Sequence, residues 1–177
     1  MIAYYHQCCI VIFLPEINLT NENSDWKIIN SNLNRIHEIT KNFPVIKHLY
    51  YNQSLEQNDI WENDCYTKFI KVGNDLGEKM EHAFQHAFDC GFRKIILIHA
   101  NTSGIISKHL EEALMSLKFI EFSIGPKKNG SYYLIGMNQL ERVVFRNKDW
   151  NSDSLYKSTV KDIGNLKYAI YKLPTLE

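Results

Sequence analysis

Charge of one sign is missing from this sequence: its 177 residues carry 20 Lys and Arg against 20 Asp and Glu. With no global field to draw in nucleic acid or anionic lipid, no nucleic-acid partner is expected. Long apolar runs are missing as well. The longest, "CCIVIFLP", falls far below the roughly 20 residues needed to cross a bilayer. It is a poor signal peptide too, because no Lys or Arg precedes it and no small-residue cleavage site follows. The expectation is a cytoplasmic protein with no membrane insertion. Cysteine is sparse: Cys8, Cys9, Cys65 and Cys90 are too few for a disulfide scaffold, and the adjacent pair lacks the CxxC spacing of zinc or redox sites. Buried free thiols are expected instead. Internal repeats, low-complexity blocks, Walker-type phosphate loops and a Ser/His/Asp triad are likewise absent from the sequence.

What is present, 45% apolar and 23% charged residues, suits one compact domain spanning residues 1–177. Strand-like and helix-like segments alternate. "CCIVIFL" has the continuous apolar character of a strand covered on both faces, so it belongs near the centre of a sheet. After the polar, asparagine-rich "PEINLTNENSDW", Ile28, Ile29, Leu33, Ile36 and Ile39 recur at helical spacing, and Pro44 bars that helix from continuing. "VIKHLYYN" reads as a second strand and "CYTKFIKVG" as a third, alternating as at a sheet edge.

In "NDLGEKMEHAFQHAFDCGF", Asp75 and Glu78 fit a capping box, and Leu76, Met80, Ala83, Phe84, Ala87 and Phe88 form the buried stripe of a helix ended by Gly91. "RKIILIHA" is another fully apolar strand, followed by "NTSGI" and the amphipathic helix "ISKHLEEALMSL". "FIEFSIG" alternates and "SYYLIGM" returns antiparallel, with Asn129-Gly130 suited to a type I′ turn. Short helices around "QLERVVF" and "SDSLYKSTVKDI" and a last strand "YAIYKLP" complete a three-layer α/β sandwich with a mostly parallel central sheet. Ligands of such sheets sit beyond the carboxyl ends of the strands, where "HANTSG" and "GPKKNGS" belong.

Several chemistry-bearing residues have plainer readings. Asp75 and Glu78 are sufficient as a helix cap, and His82 and His86, one turn apart without a third ligand, read as a solvated helix face. Tyr132 and Tyr133 point to opposite faces of their strand. His99 ends a central strand facing the expected cleft, and Lys127 and Lys128 are either solvated turn lysines or a phosphate grip.

Three segments in order, "GNDLGEKM", "KIILIHANTSGI" and "GPKKNGSYYLIGM", together with "DWNSDSLYKST" and the final "LPTLE", resemble a bacterial family called selenodomain-associated transferase one, formerly a domain of unknown function. The resemblance implies the GT-A fold of nucleotide-diphospho-sugar transferases. It also implies a nucleotide sugar as ligand, with magnesium or manganese if the donor site functions. Asp75, Leu76, Gly77, Glu78 and Met80 match that family's first motif; Gly125, Pro126, Gly130 and Tyr132 to Gly136 match its third; Trp150 and Ser152 match its fourth. By the same resemblance the donor site involves Asn101, Gly125, Pro126, Lys127, Asn129, Gly130 and Ser131.

The departures fall on the chemistry. Asn101 and Asn129 stand where the family has aspartates, His99 and Ser131 where it has glycines, and "PEINLTNENSDWK" lacks the glycine and arginine of a phosphate-cradling loop. A divalent cation that stabilises a departing diphosphate is held by carboxylates, and two amides remove two negative charges from it. An amide is also no general base near neutral pH. The expectation is a glycosyltransferase-like protein with impaired metal-dependent catalysis and no assigned catalytic residue. The alternative is an inactive homologue serving as a binding or assembly module. Exposed edge strands are compatible with a homodimer.

Overall fold

The computed structural model describes residues 5–15, 24–56 and 59–177, the side chains of Ser24 and Asp25 excepted. Seven strands form one sheet: β1 (Cys8–Phe13), β2 (Ile46–Tyr51), β3 (Thr67–Ile70), β4 (Lys94–His99), β5 (Phe122–Pro126), β6 (Tyr132–Met137) and β7 (Ile170–Lys172). Their spatial order is β3-β2-β1-β4-β6-β5-β7. β1 pairs in parallel with β2 and β4, β2 with β3, and β5 with β7, while β6 runs antiparallel to both β4 and β5. β1, apolar throughout, and β4, apolar from Ile95 to Ile98, are therefore central and the short, half-polar β3 and β7 are edges, as burial of both faces requires of the former.

Helices cover both faces. Leu33 and Ile36 of α1 (Ser24–Lys41) and Leu110, Ala113 and Leu114 of α3 (Ser107–Ser116) pack with Ile10, Ile12, Ile96 and Ile98 on one side. Met80, Ala83, Phe84 and Ala87 of α2 (Leu76–Asp89) and Leu155 and Ile163 of α4 (Leu155–Asn165) pack with Val11, Ile95 and Leu97 on the other. Tyr133 belongs to the first core and Tyr132 to the second, the strand alternation expected of neighbours.

Four details differ from the sequence reading. Ile28 is 59% exposed, because the buried face of α1 runs through Leu33, Ile36 and Thr40, whose hydroxyl is satisfied by the Ile36 carbonyl at 2.7 Å and by the Tyr66 hydroxyl at 2.9 Å. β5 starts at Phe122 and is buried on both faces, Ser123 included, while Phe119 stays 85% exposed. Its flanking by β6 and β7 makes it an inner strand that needs no polar face. Cys90 is exposed and Cys65 half-buried, so only Cys8 and Cys9 are buried thiols. His86 does not sit on a solvated face: its ring packs 4.6 Å from that of Phe69, and its Nδ1 lies 3.0 Å from the Tyr50 hydroxyl. No helix among the described residues is long and apolar enough to cross a membrane.

Candidate functional site

The carboxyl ends of the central strands open into a cavity of about 160 Å³ lined by Leu76, His99, Asn101, Thr102, Lys127, Ser131, Tyr132, Trp150 and Leu155. Each wall has a local cause. After β4 the chain turns sharply, the Thr102 amide donating to the His99 carbonyl at 3.1 Å, and this turn presents Asn101 and Thr102. The Asn101 carbonyl is held by the Asn32 side-chain amide at 2.8 Å, which fixes the turn against α1.

The opposite wall is the β5–β6 hairpin. Its loop is not a type I′ turn, because Gly130 has φ +82° while Asn129 has no positive φ. Instead Lys128, Asn129 and Gly130 form a three-residue loop, with the Gly130 amide donating to the Lys127 carbonyl at 3.1 Å and the Lys127 amide to the Ser131 carbonyl at 2.9 Å. A left-handed residue closing such a loop favours glycine. Here space requires it too: a Cβ on Gly130 would lie 1.6 Å from the Asp153 carbonyl oxygen. The hairpin tip thus rests directly on the segment that carries Trp150 and Leu155, tied by the Tyr156 amide to the Gly130 carbonyl at 2.8 Å.

The third wall comes from the amino end of α2. Asp75 caps the helix by accepting the Glu78 amide at 2.8 Å, and Glu78 reaches back to the amide of Asn74 at 2.8 Å, one residue before the expected capping-box partner. Gly77 lets this end approach closely, since a Cβ there would meet the Phe145 carbonyl oxygen at 2.3 Å and the Trp150 indole at 2.8 Å.

Of the seven residues assigned to the donor site, Asn101, Lys127 and Ser131 line this cavity. Gly125 and Pro126 lie within the buried β5, where the Tyr133 ring covers Gly125 so closely that a Cβ would sit 2.3 Å from it. Asn129 is turned onto its own loop, its amide oxygen accepting from the Ser131 hydroxyl at 2.7 Å and the Ser131 amide at 3.2 Å. The segment read as lacking a phosphate-cradling loop, residues 15–27, lies largely outside the described residues.

The electrostatics of the cavity are cationic. Among the described residues its lining includes Lys127 and no carboxylate. The His99 imidazole is pushed down to about 4 by partial burial and, secondarily, by the ammonium groups of Lys71 and Lys127. Lys71, at the end of β3, donates to the Asn52 side chain at 2.7 Å and lies 4.8 Å from the centre of the Phe13 ring. Tyr132 is buried in the wall, its hydroxyl raised by burial; it stands near the Thr159 hydroxyl without hydrogen-bond geometry. A magnesium or manganese ion needs several oxygen ligands, preferably charged. Among the described residues the cavity lining holds no carboxylate and no three His, Cys, Asp or Glu side chains converge, so the described lining does not fit such an ion.

A larger groove of about 610 Å³ runs beside α2, lined by residues that include Asp75, Glu78, Glu81, His82, Arg146 and Lys148. Several of its charges are paired: Arg146, with Arg142 beside the groove, pairs with Glu81, and Lys148 pairs with Asp162, while Asp75 and Glu78 accept backbone amides. Sequence reasoning had found Trp150 only as a motif match and had given no role to Leu155 or Lys71, whose spacing carries no sign of the cavity they flank.

The fold has close structural likenesses. A Desulfovibrio desulfuricans G20 protein provisionally named a nucleotide-diphospho-sugar transferase superposes with a TM-score of 0.86 at 22% identity, over 97% of this chain and 81% of that one. A cytidylyltransferase of Leptospira borgpetersenii serovar Hardjo-bovis gives 0.57 at 16% identity, over 96% of this chain and 76% of that one. Rv0371c of Mycobacterium tuberculosis H37Rv, in complex with manganese, gives 0.52 at 10% identity, over 97% of this chain and 89% of that one. At these identities the likenesses establish the nucleotide-sugar transferase and cytidylyltransferase type of fold. Comparison with curated proteins gave no match. Residues 36–152 match the family described as uncharacterized protein conserved in bacteria (DUF2064), and the chain belongs to that family.

Proposed function

We propose that this protein is a transferase-like relative of the selenodomain-associated transferase one group that binds a nucleotide-activated sugar beyond the carboxyl ends of its central strands and is impaired in metal-dependent transfer. One observation carries the reading: Asn101 from the loop after β4, and Lys127 and Ser131 from the hairpin, converge on one cavity although they are far apart in sequence. That cavity lies where sheets of this architecture hold their ligands. The impairment follows from chemistry. Asn101 and Asn129 supply neutral oxygens, and the Asn129 oxygen is already engaged by Ser131. A developing diphosphate charge would then lack the carboxylate-held cation that normally stabilises it.

The test is a thermal-shift screen of uridine, guanosine, cytidine, adenosine and thymidine diphosphate sugars, with and without magnesium or manganese, followed by a turnover assay of any donor that binds. Stabilisation by at least one donor without measurable transfer is expected. No stabilisation by any donor would favour the alternative, an inactive homologue with a binding or assembly role. Transfer of sugar at rates ordinary for the fold would refute the impairment.

A further inference from the structure

We propose that the cavity binds a phosphate group directly through Lys127, with no divalent cation between protein and ligand. The proposal rests on the reading that this cavity is the ligand site, and it changes what that site recognises. A metal-bridged diphosphate site needs anionic ligands on the protein; here the described residues of the lining include none, and the charged group among them is an ammonium.

Two hairpin lysines could supply that charge, and the structure separates them. Lys128 turns outward to the Glu177 carboxylate, and its amide is used by the Leu176 carbonyl at 2.8 Å. Lys127 is half-buried in the cavity wall, and among the described residues no carboxylate pairs with it. The backbone at Lys127 is also held from both sides, by the Ser131 carbonyl and by a parallel bridge to Leu176, so the residue presenting the ammonium is fixed before any ligand arrives. On the facing wall Asn101 contributes a side-chain amide able to donate to a phosphate oxygen.

Size and field agree with this. A volume of about 160 Å³ lies below the roughly 300 Å³ at which pockets begin to enclose whole small-molecule ligands. It suits one phosphoryl group with the remainder of the ligand outside. Lys71 and Lys127 both bear on the His99 ring, and a field that opposes an imidazolium opposes a doubly charged cation more strongly and favours an anion.

The experiment is calorimetric titration of the full chain with inorganic pyrophosphate, in EDTA and separately with manganese, repeated for Lys127→Met, Lys127→Arg and Lys128→Met. Binding should survive EDTA. Lys127→Met should weaken it roughly 10- to 100-fold, the equivalent of one lost charged hydrogen bond. Lys127→Arg, which keeps the charge, and Lys128→Met should stay within about threefold of the parent.

Any of four outcomes overturns the proposal: binding only with manganese, parent-like binding by Lys127→Met, equal losses in Lys127→Met and Lys128→Met, or no binding of pyrophosphate at all. The donor screen keeps the two ideas separable. Nucleotide sugars that bind only with metal would sink metal-free recognition and leave the transferase-like reading standing. Metal-free pyrophosphate binding with no donor bound would do the reverse.

Discussion

Replacing Gly130 with alanine tests how the hairpin and the Trp150 segment are held together as two walls of one cavity. An alanine at φ +82° adopts the left-handed region at a cost of about 1 kcal/mol. Its Cβ would in addition lie 1.6 Å from the oxygen, 2.3 Å from the carbon and 2.7 Å from the Cα of Asp153, all backbone atoms that no rotamer change can move aside. The hairpin tip must therefore lift, stretching the 2.8 Å bond from the Tyr156 amide to the Gly130 carbonyl, a loss of about 1 kcal/mol. Together these give about 2–3 kcal/mol, or a Tm roughly 5–10 °C lower for a chain of this size. Thermal melts followed by circular dichroism read the stability, and pyrophosphate titration reads the cavity. Gly130→Asn separates the two causes, since asparagine tolerates positive φ but still carries the clashing Cβ. It should recover only the conformational part. A Gly130→Ala Tm within about 1 °C of the parent, or an asparagine variant that melts with the parent, would refute the close-contact account.

Gly164, inside α4 with open space where a Cβ would go, should behave oppositely: Gly164→Ala is expected to stabilise by about 0.5–1 kcal/mol, and a lowered Tm would contradict the helical assignment. Tyr133→Phe removes the 3.2 Å bond from the Tyr133 hydroxyl to the Pro174 carbonyl and should cost about 1 kcal/mol. It should also speed proteolysis of the C-terminal segment, and unchanged cleavage there would argue that this hydroxyl does not tether it. Burial and, next, the neighbouring His86 push His48 down to about 4, as burial with Lys71 and Lys127 does His99. The unfolded chain protonates both near pH 6.5, so their stabilising effect is complete above about pH 6.5, shrinks as pH falls toward 4 and levels off below. Melts across that window should show the decline, and His48→Phe should flatten it; an unchanged slope in that variant would exclude His48 as a source.

The architecture was legible because burial on two faces leaves a mark in composition. Cys8 to Phe13 and Ile95 to Ile98 are apolar without alternation, and they lie in the central parallel strands; Thr67 to Ile70 alternates, and it is an edge. The same logic failed at Phe119 to Gly125, where apparent alternation came from residues on either side of the true strand start at Phe122. Turn chemistry misled for a different reason. Asn129-Gly130 satisfies the dipeptide rule for a two-residue turn, yet the conformation is fixed by the contact with Asp153, some twenty residues away, which no local pattern encodes.

The candidate cavity was legible only in part. Motif likeness placed Asn101, Lys127 and Ser131, and all three line the cavity; it also placed Gly125 and Pro126, which serve the sheet. Read as a list of missing carboxylates, the substitutions at Asn101 and Asn129 describe a loss. In the folded chain the described lining of the cavity holds no acidic group, so Lys127 has no carboxylate partner among the described residues, and Lys71, just past the edge strand β3, bears with it on the His99 ring. The Asn101 amide alone would make a neutral pocket with little hold on any phosphate. With Lys127 held at its backbone beside that amide, the lining favours an anion, so the phosphate binding proposed above does not depend on a carboxylate-held cation.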